Sequence, residues 1–196
     1  MWALVESNSV SKIYARPTSL LLNGLRHPAN IFNLWTKAEL KAIGIYEITI
    51  DYTNSKDKDY YQNTDITYTY NSSPDTVTGA YGTATAKSLN NTTSTDPSTG
   101  NQSTVYGLKT LHKNRVNSEA NALLSTYDWY TLRATDGGTA VPSSVATYRT
   151  AVRTKANQMT TAIDNATDVD ALAALYVYNS DDPPTRPLGE FPDEPS

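Results

Sequence analysis

Two runs of apolar residues at helical spacing occupy the C-terminal half of the sequence, with Gly137 and Gly138 between them. An amphipathic helix must bury its apolar stripe, and a second helix lying alongside can cover it. We therefore predict two long antiparallel helices, the first beginning near Leu108, followed by a short third helix capped by Thr167 or Asp168. The first stripe is Val116, Ala120, Leu123, Leu124 and Tyr127, and the second is Val145, Tyr148, Val152, Met159 and Ile163.

Residues 1–53 are typical of a small α+β unit that begins with hairpins. The polar residues 6–9 separate two strand-like runs. Farther along, Asn23-Gly24 can supply the positive φ angles that a tight hairpin turn needs. Two β-hairpins are therefore expected here.

The same unit contains one predicted short helix and a following strand. Thr36 and Glu39 have the spacing of a capping box, which satisfies backbone N–H groups at the start of a helix. Gly44 can end that helix in a left-handed conformation. Alternation over residues 45–52 then predicts a strand.

Residues 54–107 are polar, and their pattern predicts only short strands. The chain contains 28 Thr, and its 14 Tyr greatly outnumber its two Phe. Such residues favour half-exposed strands and interfaces over dense aliphatic cores. Residues 90–103 have no apolar side chain, so they predict an exposed loop. Together with the helical segment 108–180, these patterns predict the α+β fold class.

The last segment, residues 181–196, holds five prolines and carries the whole formal net charge of −4. Prolines favour an extended backbone and lower the entropy lost on ordering. We predict an extended arm laid along a neighbouring subunit, with Leu188 and Phe191 as apolar anchors and Arg186 as a guide for register. A disordered, solubilising end is the alternative.

Composition excludes several kinds of site and partner. The chain has no Cys, which excludes disulfides, zinc–thiolate sites, iron–sulfur clusters and thiol catalysis. No apolar run reaches the roughly 20 residues that cross a bilayer, and residues 1–6 lack the features of a secretory signal. There is no basic patch of the kind that binds nucleic-acid phosphates. We expect neither membrane insertion nor a nucleic-acid partner.

Patterns that would indicate catalysis or ligand binding are weak. His27 and His112 are far apart, and His112 falls on or beside the first apolar stripe, which favours a packed side chain. Asp136-Gly137-Gly138 lacks the lysine of a phosphate-binding loop, so a turn between helices explains it better. Asp128-Trp129-Tyr130, near a helix end, is expected to anchor one helix on another. No catalytic residue, metal or cofactor is predicted, and the sequence favours a protein that is not an enzyme.

Arg149 and Arg153 lie four residues apart on the second long helix, beside its apolar stripe. Two cations one turn apart can bind the carboxylates of a partner, or they can form a solvated face. Both alternatives stay open. With Arg186, Leu188 and Phe191, these arginines are the predicted partner contacts.

Two blocks of the sequence resemble small tail-region proteins of tailed bacteriophages, especially marine ones. The first block is residues 1–6, 13–17, 27–32 and 44–47, and the second is residues 128–133, 137–142 and 148–153. The second block is similar to the helical C-terminal part of the phage tail-fibre assembly family, in which a Trp-containing helix precedes a Tyr-Arg-x-x-(Val/Leu)-Arg helix. The proline-rich end, residues 181–196, departs from that family, whose members often end soon after the Arg-rich helix.

The resemblance implies a structural or assembly protein without a cofactor, made in the host cytoplasm and located in the virion tail. In a first hypothesis it is a permanent adaptor, present in several copies, that links the tail fibre to the baseplate or tail tube. In a second it is a chaperone that shields fibre surfaces and then leaves. A weaker alternative is a host-surface binding module that uses the Thr/Tyr-rich middle segment.

Overall fold

The computed structural model describes residues 1–195 and shows an α+β protein. The chain forms two compact units. The first comprises Met1–Thr85, and the second begins at Ala86 and takes in the rest of the described chain. The predicted segment 54–107 is therefore divided between them. Ser196, the last residue of the predicted arm, lies outside the described residues.

Eleven strands and six helices occur in the described residues. The strands are β1 (Trp2–Glu6), β2 (Ser9–Tyr14), β3 (Leu20–Leu22), β4 (Leu25–His27), β5 (Ile45–Asp51), β6 (Tyr61–Gln62), β7 (Ile66–Ser72), β8 (Asp75–Tyr81), β9 (Thr85–Ala86), β10 (Thr92–Thr95) and β11 (Gln102–Val105). The helices are α1 (Ile31–Leu34), α2 (Lys37–Ala42), α3 (Leu108–Ser125), α4 (Asp128–Thr135), α5 (Ser143–Asn165) and α6 (Val169–Ala174).

A five-stranded sheet in the order β2-β1-β5-β8-β7 organises the first unit. Neighbouring strands run antiparallel, except that β5 and β8 are parallel with Ile48 opposite Val77. The edge strands β2 and β7 also approach each other, so the sheet curls. Ala3, Ile48 and Val77 form the buried cluster on one face. On the other face, Leu4 and Ile45 belong to a cluster with residues of helices α1 and α2 and of the β3–β4 hairpin.

Local signals in the first unit produce the structures that they predict. Asn23 and Gly24 have φ angles of 49° and 78°, and they connect β3 to β4. The Thr36 hydroxyl accepts a bond from the Glu39 backbone N–H at 3.3 Å, while the Glu39 carboxylate accepts one from Thr36 N–H at 2.8 Å. Gly44 follows α2 with a φ of 81°. Both hairpins and the capping box are confirmed.

Strands β7 and β8 complete the sheet of the first unit, although sequence analysis assigned them to a separate polar segment. Strand β8 lies between β5 and β7. A Cβ atom at Gly79 on β8 would come within 2.9 Å of Ile50, Ile66 and Tyr68 side chains. Close packing at this position therefore requires a residue without a side chain.

The second unit is built on the antiparallel helix pair that the apolar spacing predicts. Lys113, near the start of α3, pairs with Asp164 near the end of α5 at 2.8 Å. Val152 of α5 is completely buried, as predicted. The third helix, α6, is capped by Asp168, whose carboxylate accepts a hydrogen bond from Ala171 N–H at 2.8 Å.

Residues 90–103 are exposed, as predicted, but they contribute to a regular hairpin rather than an irregular loop. Strands β10 and β11 pair antiparallel, and the Asp96 carboxylate accepts hydrogen bonds from the Ser98 N–H at 2.8 Å and hydroxyl at 2.6 Å. Backbone pairing and this Asx turn hold the ribbon without an apolar face. Hydrophobic periodicity therefore gives no sign of it.

Candidate interaction surface

Helix α4 exposes aromatic and apolar side chains in the second unit. None of its eight residues is buried, and Trp129 and Leu132 are 50% and 65% exposed. The prediction that Asp128-Trp129-Tyr130 anchors one helix on another is therefore wrong for the Trp129 indole, although Asp128 does pair with Arg149 of α5. The reason is that α3 ends at Ser125, so Trp129 belongs to a separate short helix that leaves the indole exposed.

The side chains of α4 are held by stacking within the helix. The ring centroids of Trp129 and Tyr130 are 3.7 Å apart. The guanidinium carbon of Arg133 lies 4.9 Å from the Trp129 ring centroid and 5.2 Å from that of Tyr130, in cation–π geometry. These contacts restrict the three side chains before any partner binds, which lowers the entropy lost in forming an interface. We call Trp129, Tyr130, Leu132 and Arg133 the α4 surface.

The glycine turn after α4 fixes the end of this surface. Gly137 has a φ of 83°, and Gly138 N–H donates to the Arg133 carbonyl at 2.9 Å. This is the hydrogen-bond pattern of a Schellman helix ending. A Cβ atom at Gly138 would lie 2.8 Å from Arg133 atoms. The turn between helices is confirmed for residues 136–138.

Arg149 joins three helices of the second unit. Its guanidinium donates to the Leu124 carbonyl at the end of α3 at 2.8 Å and pairs with Asp128 at the start of α4, also at 2.8 Å. Only 12% of the Arg149 side chain is exposed. A cation at a helix C-terminus satisfies carbonyls that have no partner within the helix. The structure therefore gives Arg149, a predicted partner contact, an internal role.

Arg153 differs from Arg149 although it lies only one turn farther along α5. It is exposed, and its Nη1 atom is 3.5 Å from the Arg149 carbonyl, which is long for a hydrogen bond. The two arginines therefore do not act as a pair. Arg153 remains a predicted partner contact.

The C-terminal segment folds back on its own unit. The Arg186 guanidinium forms a bidentate ion pair with the Glu190 carboxylate, with N–O distances of 2.7 and 2.8 Å. The guanidinium carbon also lies 5.7 and 5.2 Å from the ring centroids of Tyr176 and Tyr178. These interactions combine cation–π attraction with a bidentate charge-assisted hydrogen bond, so Arg186 organises its own chain.

Leu188 is the main apolar contact of this segment. It is only 4% exposed, and its N–H donates to the Leu175 carbonyl at 3.0 Å. Phe191 is half-buried. The prediction of an extended arm with Leu188 as an anchor on a neighbour is therefore wrong. Burial of Leu188 and the Arg186 contacts with nearby tyrosines hold the segment on this chain.

The end of the segment lies close to the helix pair. Burial away from solvent raises the pKa of both Tyr127 and Tyr148, and the charge of the nearby Glu194 carboxylate raises it further. Both tyrosines belong to the apolar stripes predicted for the two long helices. The proline-rich segment thus adds contacts to the helical hairpin.

Both histidines are packed, as the sequence favours for His112. His27 is buried with its ring centroid 5.6 Å from Trp35, and His112 is buried 4.8 Å from Tyr176. Within residues 1–195, no three His, Asp or Glu side chains are grouped so that they could hold a metal ion. No helix in this described range has the length and apolar character needed to cross a membrane.

The α4 surface is the candidate interaction site because Trp129 and Leu132 are exposed and the side chains of Trp129, Tyr130 and Arg133 are already ordered by their own contacts. Its residues are visible in the sequence, but their exposure depends on the absence of a covering element. Comparisons with protein-family models, curated proteins and solved structures find no match to this chain.

Proposed function

We propose that this chain is a non-enzymatic structural component of a bacteriophage tail, an adaptor that links the tail fibre to the baseplate or tail tube. The α4 surface carries the proposal. Trp, Tyr and Arg are the residue types that contribute most often to the energetic centres of protein interfaces. The resemblance of residues 128–153 to the tail-fibre assembly family supplies the biological setting.

The division of the chain into two units supports an adaptor. Each unit contains its own buried residues, such as Ile45 in the first and Val152 in the second. One chain can therefore present two separately folded surfaces to two neighbours. In this proposal several copies are incorporated into the virion tail after synthesis in the host cytoplasm.

One observation favours the second candidate, a chaperone of tail-fibre assembly. Residues 181–195 pack on their own unit through Leu188 and Arg186, so this segment is not laid out as an arm for permanent attachment. A chaperone would use the same α4 surface to cover a fibre transiently. The two candidates therefore differ in whether the chain stays in the particle.

The α4 surface can be tested by replacing exposed side chains alone. We would combine Trp129→Ala with Leu132→Ser and supply the variant to a phage that lacks the gene. Because both side chains are exposed, the helix content should stay unchanged in circular dichroism. We expect incorporation into particles to fall several-fold. Leu111→Ala, at a residue that is 50% exposed on α3, is the matched control and should be incorporated normally.

Normal incorporation of the folded double variant would contradict the role of the α4 surface. A loss that is equal in the Leu111→Ala control would show that any exposed apolar residue has the same effect, and this too would contradict it.

A further inference from the structure

A groove of about 360 Å³ lies between the sheet of the first unit and its α1–α2 segment. The sheet residues Trp2, Glu47 and Thr49 line it, together with Trp35 and Lys37 from the α1–α2 segment. Sites for small molecules have volumes of roughly 300–1,000 Å³. The groove is therefore large enough for a small ligand, and all of its lining residues belong to one unit.

Two tryptophans are held in place at this groove. The Trp2 ring centroid is 4.7 Å from that of Phe32, and Trp35 meets His27 edge to face at 5.6 Å. Both indoles remain partly exposed. Their packing on buried rings fixes their orientation and leaves apolar surface available to a ligand.

The charged groups of the groove already have partners. Lys37 Nζ lies 2.6 Å from Glu47 Oε2, so this pair connects the α1–α2 segment to the sheet. Lys41 pairs with Asp75 at 3.2 Å and also lies over the Tyr46 ring. An ionic ligand would compete with one of these partners. A neutral ligand with hydroxyl groups could instead accept from a lysine and donate to the carboxylate while the pair stays intact.

We propose that this groove binds a neutral saccharide. A sugar ring has an apolar face of C–H groups that can contact Trp2 or Trp35. Its hydroxyls both donate and accept hydrogen bonds, which suits the Lys37–Glu47 pair and the exposed Thr49 hydroxyl. The inference does not depend on a role in the tail, because every residue involved lies outside the α4 surface and in the other unit.

The test is saturation-transfer difference NMR on the full chain, with cellobiose, maltose, lactose and N,N′-diacetylchitobiose at millimolar concentrations. We expect at least one disaccharide to receive saturation at its ring C–H protons. Glu47→Gln and Trp35→Ala should each weaken its binding by roughly tenfold, as expected for the loss of one charged hydrogen bond or one aromatic contact. Trp129→Ala, which removes a tryptophan of the α4 surface, is the matched control and should bind like the wild type.

The absence of saturation transfer with all four disaccharides would overturn the proposal. Unchanged affinity in Glu47→Gln, or binding restricted to an acidic sugar such as sialyllactose, would overturn it as well. If Trp35→Ala disturbs the fold in circular dichroism, Thr49→Val takes its place, since Thr49 is exposed. This variant should weaken binding several-fold, and wild-type affinity would contradict the site. The result of the saccharide-binding test does not depend on whether the chain is incorporated into particles. This test is therefore separate from that of the α4 surface.

Discussion

Replacing Arg149 by Met should destabilise the second unit, because the Arg149 guanidinium connects three of its helices. The change keeps a long apolar stem but removes the charged hydrogen bond to the Leu124 carbonyl, which contributes about 1.5–3 kcal/mol. It also removes the ion pair with Asp128, whose side chain is 56% exposed and which therefore adds less than about 1 kcal/mol. We expect the free energy of unfolding to fall by about 2 kcal/mol.

Urea denaturation followed by circular dichroism measures this loss. With a slope near 2 kcal/mol per molar urea, the midpoint should fall by about 1 M. Arg153→Met is the matched control, because Arg153 is exposed one turn away, and its effect should stay within about 0.5 kcal/mol. Equal losses in the two variants, or wild-type stability of Arg149→Met, would refute the internal role of Arg149.

Three further predictions concern the second unit. Leu188→Ala should cost about 2–5 kcal/mol, and calorimetry should show a lower melting temperature; an unchanged value would mean that the segment does not pack. Gly107→Ala should cost about 1–3 kcal/mol in urea denaturation because its Cβ would collide with the Asn90 backbone, and wild-type stability would argue against that approach. Hydrogen bonds from the Ser98 side chain and backbone lower the pKa of Asp96 to about 2. The resulting stability of the turn is present above the ordinary Asp pKa and is lost as pH falls through about 2. In an NMR titration Ser98→Ala should raise this pKa, and an unshifted value would exclude the turn as its cause.

Sequence predicts the elements whose causes are local. The capping box of Thr36 and Glu39 and the Asn23-Gly24 turn each depend on residues that are neighbours in the chain. The helix pair follows from periodicity, which placed Val152 in the buried stripe. These parts of the fold require no knowledge of distant contacts.

The remaining features depend on contacts that are distant in sequence. The parallel pairing of Ile48 with Val77 brings β8 into the first unit, and no local pattern specifies that partner. The proline-rich segment predicted an extended arm laid along a neighbouring subunit, but burial of Leu188 and cation–π contacts of Arg186 with two tyrosines hold it on its own chain. These contacts depend on where α6 and the residues after it lie in the folded unit.

The candidate site shows the same limit. The aromatic character of residues 128–133 is visible in the sequence and suggested a helix anchor. Whether Trp129 is buried or exposed depends on what lies over α4, which is a property of the whole unit. Arg149 and Arg153 likewise look equivalent in sequence, but only Arg149 reaches the end of α3.

Quantitative mass spectrometry of gradient-purified phage particles tests the proposed function most directly. If the chain is an adaptor, it should be present in several copies per particle, at a constant ratio to the tail-fibre protein. That ratio should fall when Trp129→Ala and Leu132→Ser are combined. A chain that is plentiful in the infected-cell lysate but absent from the purified particles would contradict the adaptor.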